Sequence, residues 1–252
     1  MVLYELRRGF RSGRFWISFW ANLVMLAVGG WDYIQAFIYQ ETAPGSGVEK
    51  FLMSYSMGIT SLIALFFPIT SVMAYSVAYR SEKDSGYRFY QKIREGELEY
   101  RISRVLTAAI LGFVATIVPC LVWLNVCLFV FKSGNTTFPL IYGIQFLKDL
   151  YRSNQISYAM ILCANAGIQG LVFSVLGLGL CSSVKNKYFA ALVPFLGCII
   201  GAVLLQSICP SLNALYLWDP NSYTGKTFGI YIYDAVLVVL GIALFYVGED
   251  KQ

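Results

Sequence analysis

The chain has 252 residues, of which 58% are hydrophobic, 16% aromatic and only 13% charged. A water-soluble domain of this size carries close to a quarter charged residues, so the composition leaves too little polar surface and makes lipid the solvent. The net charge of +5 lies in connecting segments and builds no basic face on a soluble surface, which excludes a nucleic-acid partner.

A helix crossing a bilayer needs about 20 mostly apolar residues at 1.5 Å each, and six stretches reach that length: 15–38, 58–78, 105–131, 156–181, 188–208 and 230–247. Barrel strands would alternate over about 10 residues, whereas these runs are apolar throughout. The expected fold class is an all-α integral membrane protein with six transmembrane helices in a single domain over 1–252.

Ahead of the first run, Leu3, Leu6 and Phe10 share one helical stripe while Arg7, Arg8, Arg11 and Arg14 fall elsewhere. This suits an amphipathic interfacial helix over 1–14, and equally a basic tail that only sets topology. Arg7-Arg8-Gly9-Phe10 has the look of a twin-arginine export signal, but the following run is too long for a signal peptide and further spans succeed it, so an uncleaved first helix is expected. Asp32 stands near the outer end of that helix with Gln35 one turn on, and Asp234 near the outer start of the last. A carboxylate in a span is either a functional residue on a substrate pathway or, this close to the interface, merely hydrated.

Twelve of the 33 charged side chains fall within residues 80–104, between two apolar runs. With the N-terminus inside, the inner segments hold fourteen Lys and Arg and the outer segments five, so both termini are expected in the cytoplasm of a plasma membrane, probing anionic lipid. The outer segments are short. That at 132–155 contains Phe138-Pro139-Leu140-Ile141-Tyr142, enough apolar content for a small interfacial helix, and a chance-level glycosylation pattern at Asn135-Thr136-Thr137. The last contains Trp218-Asp219-Pro220-Asn221, a turn with an interface-seeking aromatic.

Small residues mark two helix faces. Gly167, Gly170, Ser174 and Gly177 recur at helical spacing in the fourth run, which reads as intramolecular packing; Gly197 and Gly201 form a GxxxG in the fifth, where packing within the chain and a dimer seam are both open. The six cysteines lie in or at the edge of the apolar runs without C-x-x-C spacing, which is the distribution of small core residues. Histidine is absent, excluding the usual zinc and Ser-His sites, so neither a metal site nor catalysis is expected.

The charged island resembles the connector between the second and third helices of ABC-2-type permeases, the membrane subunits of ATP-driven exporters. Asp84-Ser85-Gly86 is similar to the close of that second helix, Tyr87 to Ile93 to a short cytoplasmic coupling helix, and Arg104 to the basic residue opening the third. Arg94-Glu95-Gly96 stands where the family often has proline. The resemblance implies a coupling segment over 79–104 on which Asp84, Gly86, Tyr87, Arg88, Phe89, Tyr90, Ile93 and Arg104 dock an ATPase. It also implies a second permease subunit, identical or homologous, and export of an amphipathic or hydrophobic compound such as an antimicrobial peptide, a lipid-linked molecule or a drug. No G-x-x-x-x-G-K-[ST] loop occurs here, so ATP and Mg would sit on a separate ATPase polypeptide. The alternative is a non-ABC protein: an ion-coupled carrier, or a membrane sensor or assembly component. Against a carrier stands the lack of a repeat between residues 1–130 and 131–252.

Overall fold

Apolar runs in lipid must satisfy their backbone hydrogen bonds internally, which favours helix at every run. The computed structural model describes residues 2–41, 45–57, 62–131, 144–184, 186–205, 213–222 and 229–250, and among them helix is the only regular structure. In chain order the helices are α1 (Val2–Arg11), α2 (Gly13–Gly29), α3 (Trp31–Ile38), α4 (Gly47–Leu52), α5 (Leu62–Asp84), α6 (Tyr87–Glu95), α7 (Glu97–Phe129), α8 (Lys148–Ser153), α9 (Gln155–Ser183), α10 (Lys187–Leu205) and α11 (Gly229–Asp250). A π turn, Met53–Met57, extends α4, and a 3-10 turn, Ala214–Leu217, follows α10.

Four helices are long and apolar enough to cross a membrane: α5, α7, α9 and α11. A fifth span results if α2 and α3 are counted together. The first expected span is therefore not one straight helix: it bends by 71° between α2 and α3. The cause is local. Gly29 and Gly30 are weak helix formers, and a Cβ on either would come within 2.6 Å of Ser54 in the π turn, so backbone and turn approach only because both are glycine. Of the fifth apolar run, α10 covers 187–205 with Pro194 inside, and residues 206–208 lie outside the described part. Residues 58–61, 132–143 with Asn135 and Phe138 to Tyr142, Lys185 and Cys209 also lie outside it.

Helix α9 is the centre of the bundle, with 72% of its apolar window buried against 22% for α11 at the periphery. Its small face splits between two neighbours. A Cβ on Gly170 would lie 2.4 Å from the Gly112 carbonyl oxygen of α7, while one on Gly177 would strike Val72 of α5. Further along, a Cβ on Gly179 would come as close to α11, 2.3 Å from the Gly241 carbonyl oxygen. Such approach strengthens dispersion between helices that gain nothing from hydrophobic burial in lipid. Helix α2 is joined instead by polar side chains: Asn22 donates to the Ala115 carbonyl (2.9 Å) and accepts from Thr70 (2.8 Å), and Ser18 donates to the Thr70 carbonyl (2.7 Å).

At the end where α3 lies, α9 and the π turn grip the segment 213–222. Tyr55 donates to the Trp218 carbonyl at 2.8 Å, the Trp218 indole donates to the Tyr55 carbonyl at 3.1 Å, and Asn165 of α9 donates to the same Trp218 carbonyl at 3.1 Å. Trp218 is thus a core residue, stacked 5.0 Å from the Tyr55 ring, and not the interface anchor its turn context suggested. Its indole N–H finds a partner inside the protein, which removes the reason to seek water. Asn221 fixes the approach to α8 by accepting from the Gln145 and Phe146 amides, both at 3.2 Å.

Candidate functional site

Helix α5 ends at Asp84, and the chain turns through Ser85 and Gly86 into α6. Gly86 has φ +74° and Gly96, which separates α6 from α7, has φ +83° with ψ 149°. Both conformations strain any residue with a Cβ, so α6 is a separate short helix framed by two glycines. It runs to Glu95, two residues beyond the expected Ile93.

The inner face of α6 is fastened by two sets of charges. In the first, the buried Glu5 carboxylate of α1 accepts from Arg8 at 2.7 Å, from Arg104 of α7 at 2.9 Å and from Gln91 of α6 at 3.0 Å. Arg104 also donates to the Tyr75 hydroxyl at 2.6 Å, pairs with Glu82 at 2.9 Å and donates to the Gln91 side-chain Oε1. Arg8 closes the circuit on Glu82 at 2.5 Å. Burial alone would pull the Arg8 guanidinium down, but Glu82 and Glu5 outweigh it and hold the group above its usual value.

The second set gathers on Glu249, at the end of α11, which is buried. It pairs with Lys92 of α6 at 2.7 Å, faces Lys83 of α5 at 3.7 Å and accepts from the Tyr79 hydroxyl. Lys83 in turn donates to the carbonyls of Ser182 (2.7 Å) and Gly248 (3.0 Å), ties α9 and α11 together, and caps orphan C-terminal carbonyls with a cation. Through Gln91 and Lys92, α6 is thus connected to α1, α7 and α11.

The outer face is the converse. Tyr90 is 77% and Ile93 86% exposed, one helical turn apart. Asp84 is half-exposed and pairs with Arg80 at 2.9 Å. Tyr87, Arg88 and Phe89 belong to α6, but their side chains lie outside the described part. The position of Arg104 departs from its expected place in the docking set: α7 begins at Glu97, and Arg104 lies two turns in, wholly buried. A partner cannot touch it; its guanidinium fork instead holds α1, α5 and α6 to α7. Helix α1 differs likewise from a helix merely lying in headgroups. Glu5 and Gly9 face the bundle, Leu6 and Phe10 pack against its core, and Leu3 alone of the expected stripe is well exposed.

The other expected site residues are not gathered here. Asp32 and Gln35 are exposed on α3, consistent with hydration, while Asp234 is buried on α11 and accepts from Gln169 of α9 at 2.8 Å. Gly197 is exposed on α10 with nothing among the described residues within 4 Å of the position of a Cβ, and Gly201 follows one turn later. Sequence reasoning missed Glu5, Tyr75, Gln91 and Glu249, and placed Glu82 and Lys92 in the connector without their partners. The signal available for Glu5 was a single acid within an otherwise basic helix. Comparison with known protein families, curated proteins and solved structures gives no match.

Proposed function

We propose that this chain is the permease subunit of an ATP-driven exporter of the ABC-2 type, not itself an enzyme. On this reading α2 with α3, α5, α7, α9, α10 and α11 make six spans, α1 is the interfacial helix and α6 the cytoplasmic coupling helix. The observation that carries it is the two-sided build of α6: charges pin one face to α1, α7 and α11, and the other leaves Tyr90 and Ile93 exposed. Topology alone requires neither aromatic anchors nor a rigid mounting. A partner that pushed on Tyr90 and Ile93 would move α6 against three helices at once, which is what a membrane domain without its own ATPase needs. The partners are then cytoplasmic ATPase subunits carrying ATP and Mg, a second permease subunit with α10 at the seam, and membrane lipid. The cargo is an amphipathic or hydrophobic compound moved across a plasma membrane.

The test is co-purification and transport with Tyr90→Ala/Ile93→Ala. Insertion should be unchanged, while the ATPase dissociates or hydrolyses ATP without export. ATPase recovery and export both equal to wild type would remove α6 as the coupling element. The ion-coupled carrier draws on one observation, the buried Asp234; transport dissipated by an ionophore and indifferent to ATP would favour it.

A further inference from the structure

We propose that the contact between α9 and α11 is a proton-binding site in which Asp234 is held as the neutral carboxylic acid by the Gln169 carboxamide. Asp234 is 4% exposed and Gln169 0%. The Gln169 Nε2 group donates to Asp234 Oδ2 at 2.8 Å. The two remaining oxygens, Asp234 Oδ1 and Gln169 Oε1, are both buried, and among the described residues neither has a hydrogen-bond partner. A carboxylate only accepts, as does an amide oxygen, so with Asp234 ionised these atoms leave two buried acceptors unsatisfied, which is costly. A proton on Oδ1 changes both at once. It makes Oδ1 a donor, and its natural acceptor is Oε1 on the amide already bonded to the same carboxyl. Acid and amide then complement each other in a ring of two hydrogen bonds.

Among the described residues nothing around Asp234 balances a negative charge. From α9 only Gln169 reaches the carboxyl; the titratable side chains of that helix, Tyr158, Cys163 and Cys181, do not act on it. On its own helix Tyr231 is the titratable group within electrostatic reach. Towards α10, α11 turns Tyr233, Leu237 and Leu240 into an apolar cavity of about 280 Å³ shared with Pro194 and Cys198. No Lys or Arg pairs with Asp234 among the described residues, and an unpaired charge in such a place is far more costly than a bound proton. A metal ion would want more oxygens than these two, and no group of three or more His, Cys, Asp or Glu gathers among the described residues. The proton site stands independently of the export reading.

The test is infrared difference spectroscopy of the purified chain in lipid nanodiscs, with thermal unfolding alongside. Wild type minus Asp234→Asn should show the carbonyl stretch of a protonated carboxylic acid at neutral pH, and the band should vanish on alkaline titration. Because the native form holds a proton that the unfolded chain releases, wild-type stability should fall as pH rises from about 4, where an unfolded aspartate titrates. Asp234→Asn, which imitates the neutral acid, should flatten that profile. Asp234→Glu keeps an acid and moves its band, so the measurement stands even if the Asn variant fails to insert. Absence of the acid band at neutral pH, or identical pH profiles for wild type and Asp234→Asn, would overturn the proposal. So would stabilisation by sodium at fixed pH that Asp234→Asn abolishes.

Discussion

Arg104 meets Glu5, Glu82, Tyr75 and Gln91 through one guanidinium, and all of these contacts are beyond the reach of water. A group with such partners is costly to delete from one side only. Arg104→Gln leaves Glu5 buried with a single cation, and breaking a buried pair in this way costs about 3–5 kcal/mol. Melting of that variant in detergent should drop accordingly. Glu5→Gln combined with Arg104→Gln should cost clearly less than the sum of the two changes, because each removes the other's unmet charge. Strict additivity would mean that the two side chains act separately. These partners are hard to read from the sequence because they stand about a hundred residues apart: Glu5 and Arg104 share no local pattern. The end of α5 was legible for the opposite reason, since Asp84-Ser85-Gly86 is a local helix stop whose left-handed glycine is written in the chain itself.

At the scale of elements, the glycines divide by what surrounds them. A Cβ on Gly170 would come 2.3 Å from Thr116 Oγ1 and 2.4 Å from the Gly112 carbonyl oxygen, so Gly170→Ala forces α7 and α9 apart. The overpacking should cost about 1–3 kcal/mol. Gly197→Ala meets nothing within 4 Å and should be neutral, or gain up to about 1 kcal/mol from helix propensity. Denaturation of both variants in one detergent checks the contrast; an equal loss would refute this account of the packing. The α9 face was legible as a helical repeat of small residues, although its division between α7 and α5 was not, because spacing says which residues align and nothing about which neighbour receives them. The bend at Gly29 and Gly30 was hidden by the same logic: apolar content runs through it, and only the contact with Ser54 makes the glycines decisive.

For the whole molecule, exposed apolar side chains on α2, α7, α10 and α11, among them Trp20, Ile102, Val203 and Val239, form a surface suited to lipid or to another subunit. If the seam lies on α10, Gly197→Leu with Gly201→Leu should lower the dimer fraction by crosslinking and native mass with little effect on the fold, since among the described residues nothing lies within 4 Å of a Cβ at Gly197. An unchanged dimer would put the seam on another face. Composition made the membrane class legible, and run length located four of the candidate spans and a fifth that is broken at Gly29 and Gly30; assembly and energy source are properties of surfaces that a single chain leaves uncovered. The central claim concerns one such surface, the outer face of α6. Its most direct test is a photo-crosslinking amino acid at Tyr90 or Ile93 in native membranes, followed by mass spectrometry of the adducts. The account predicts a nucleotide-binding ATPase subunit joined at both positions and lost when a photo-crosslinker replaces the exposed Val239 of α11 instead; adducts with lipid alone, or with proteins that bind no nucleotide, would contradict it.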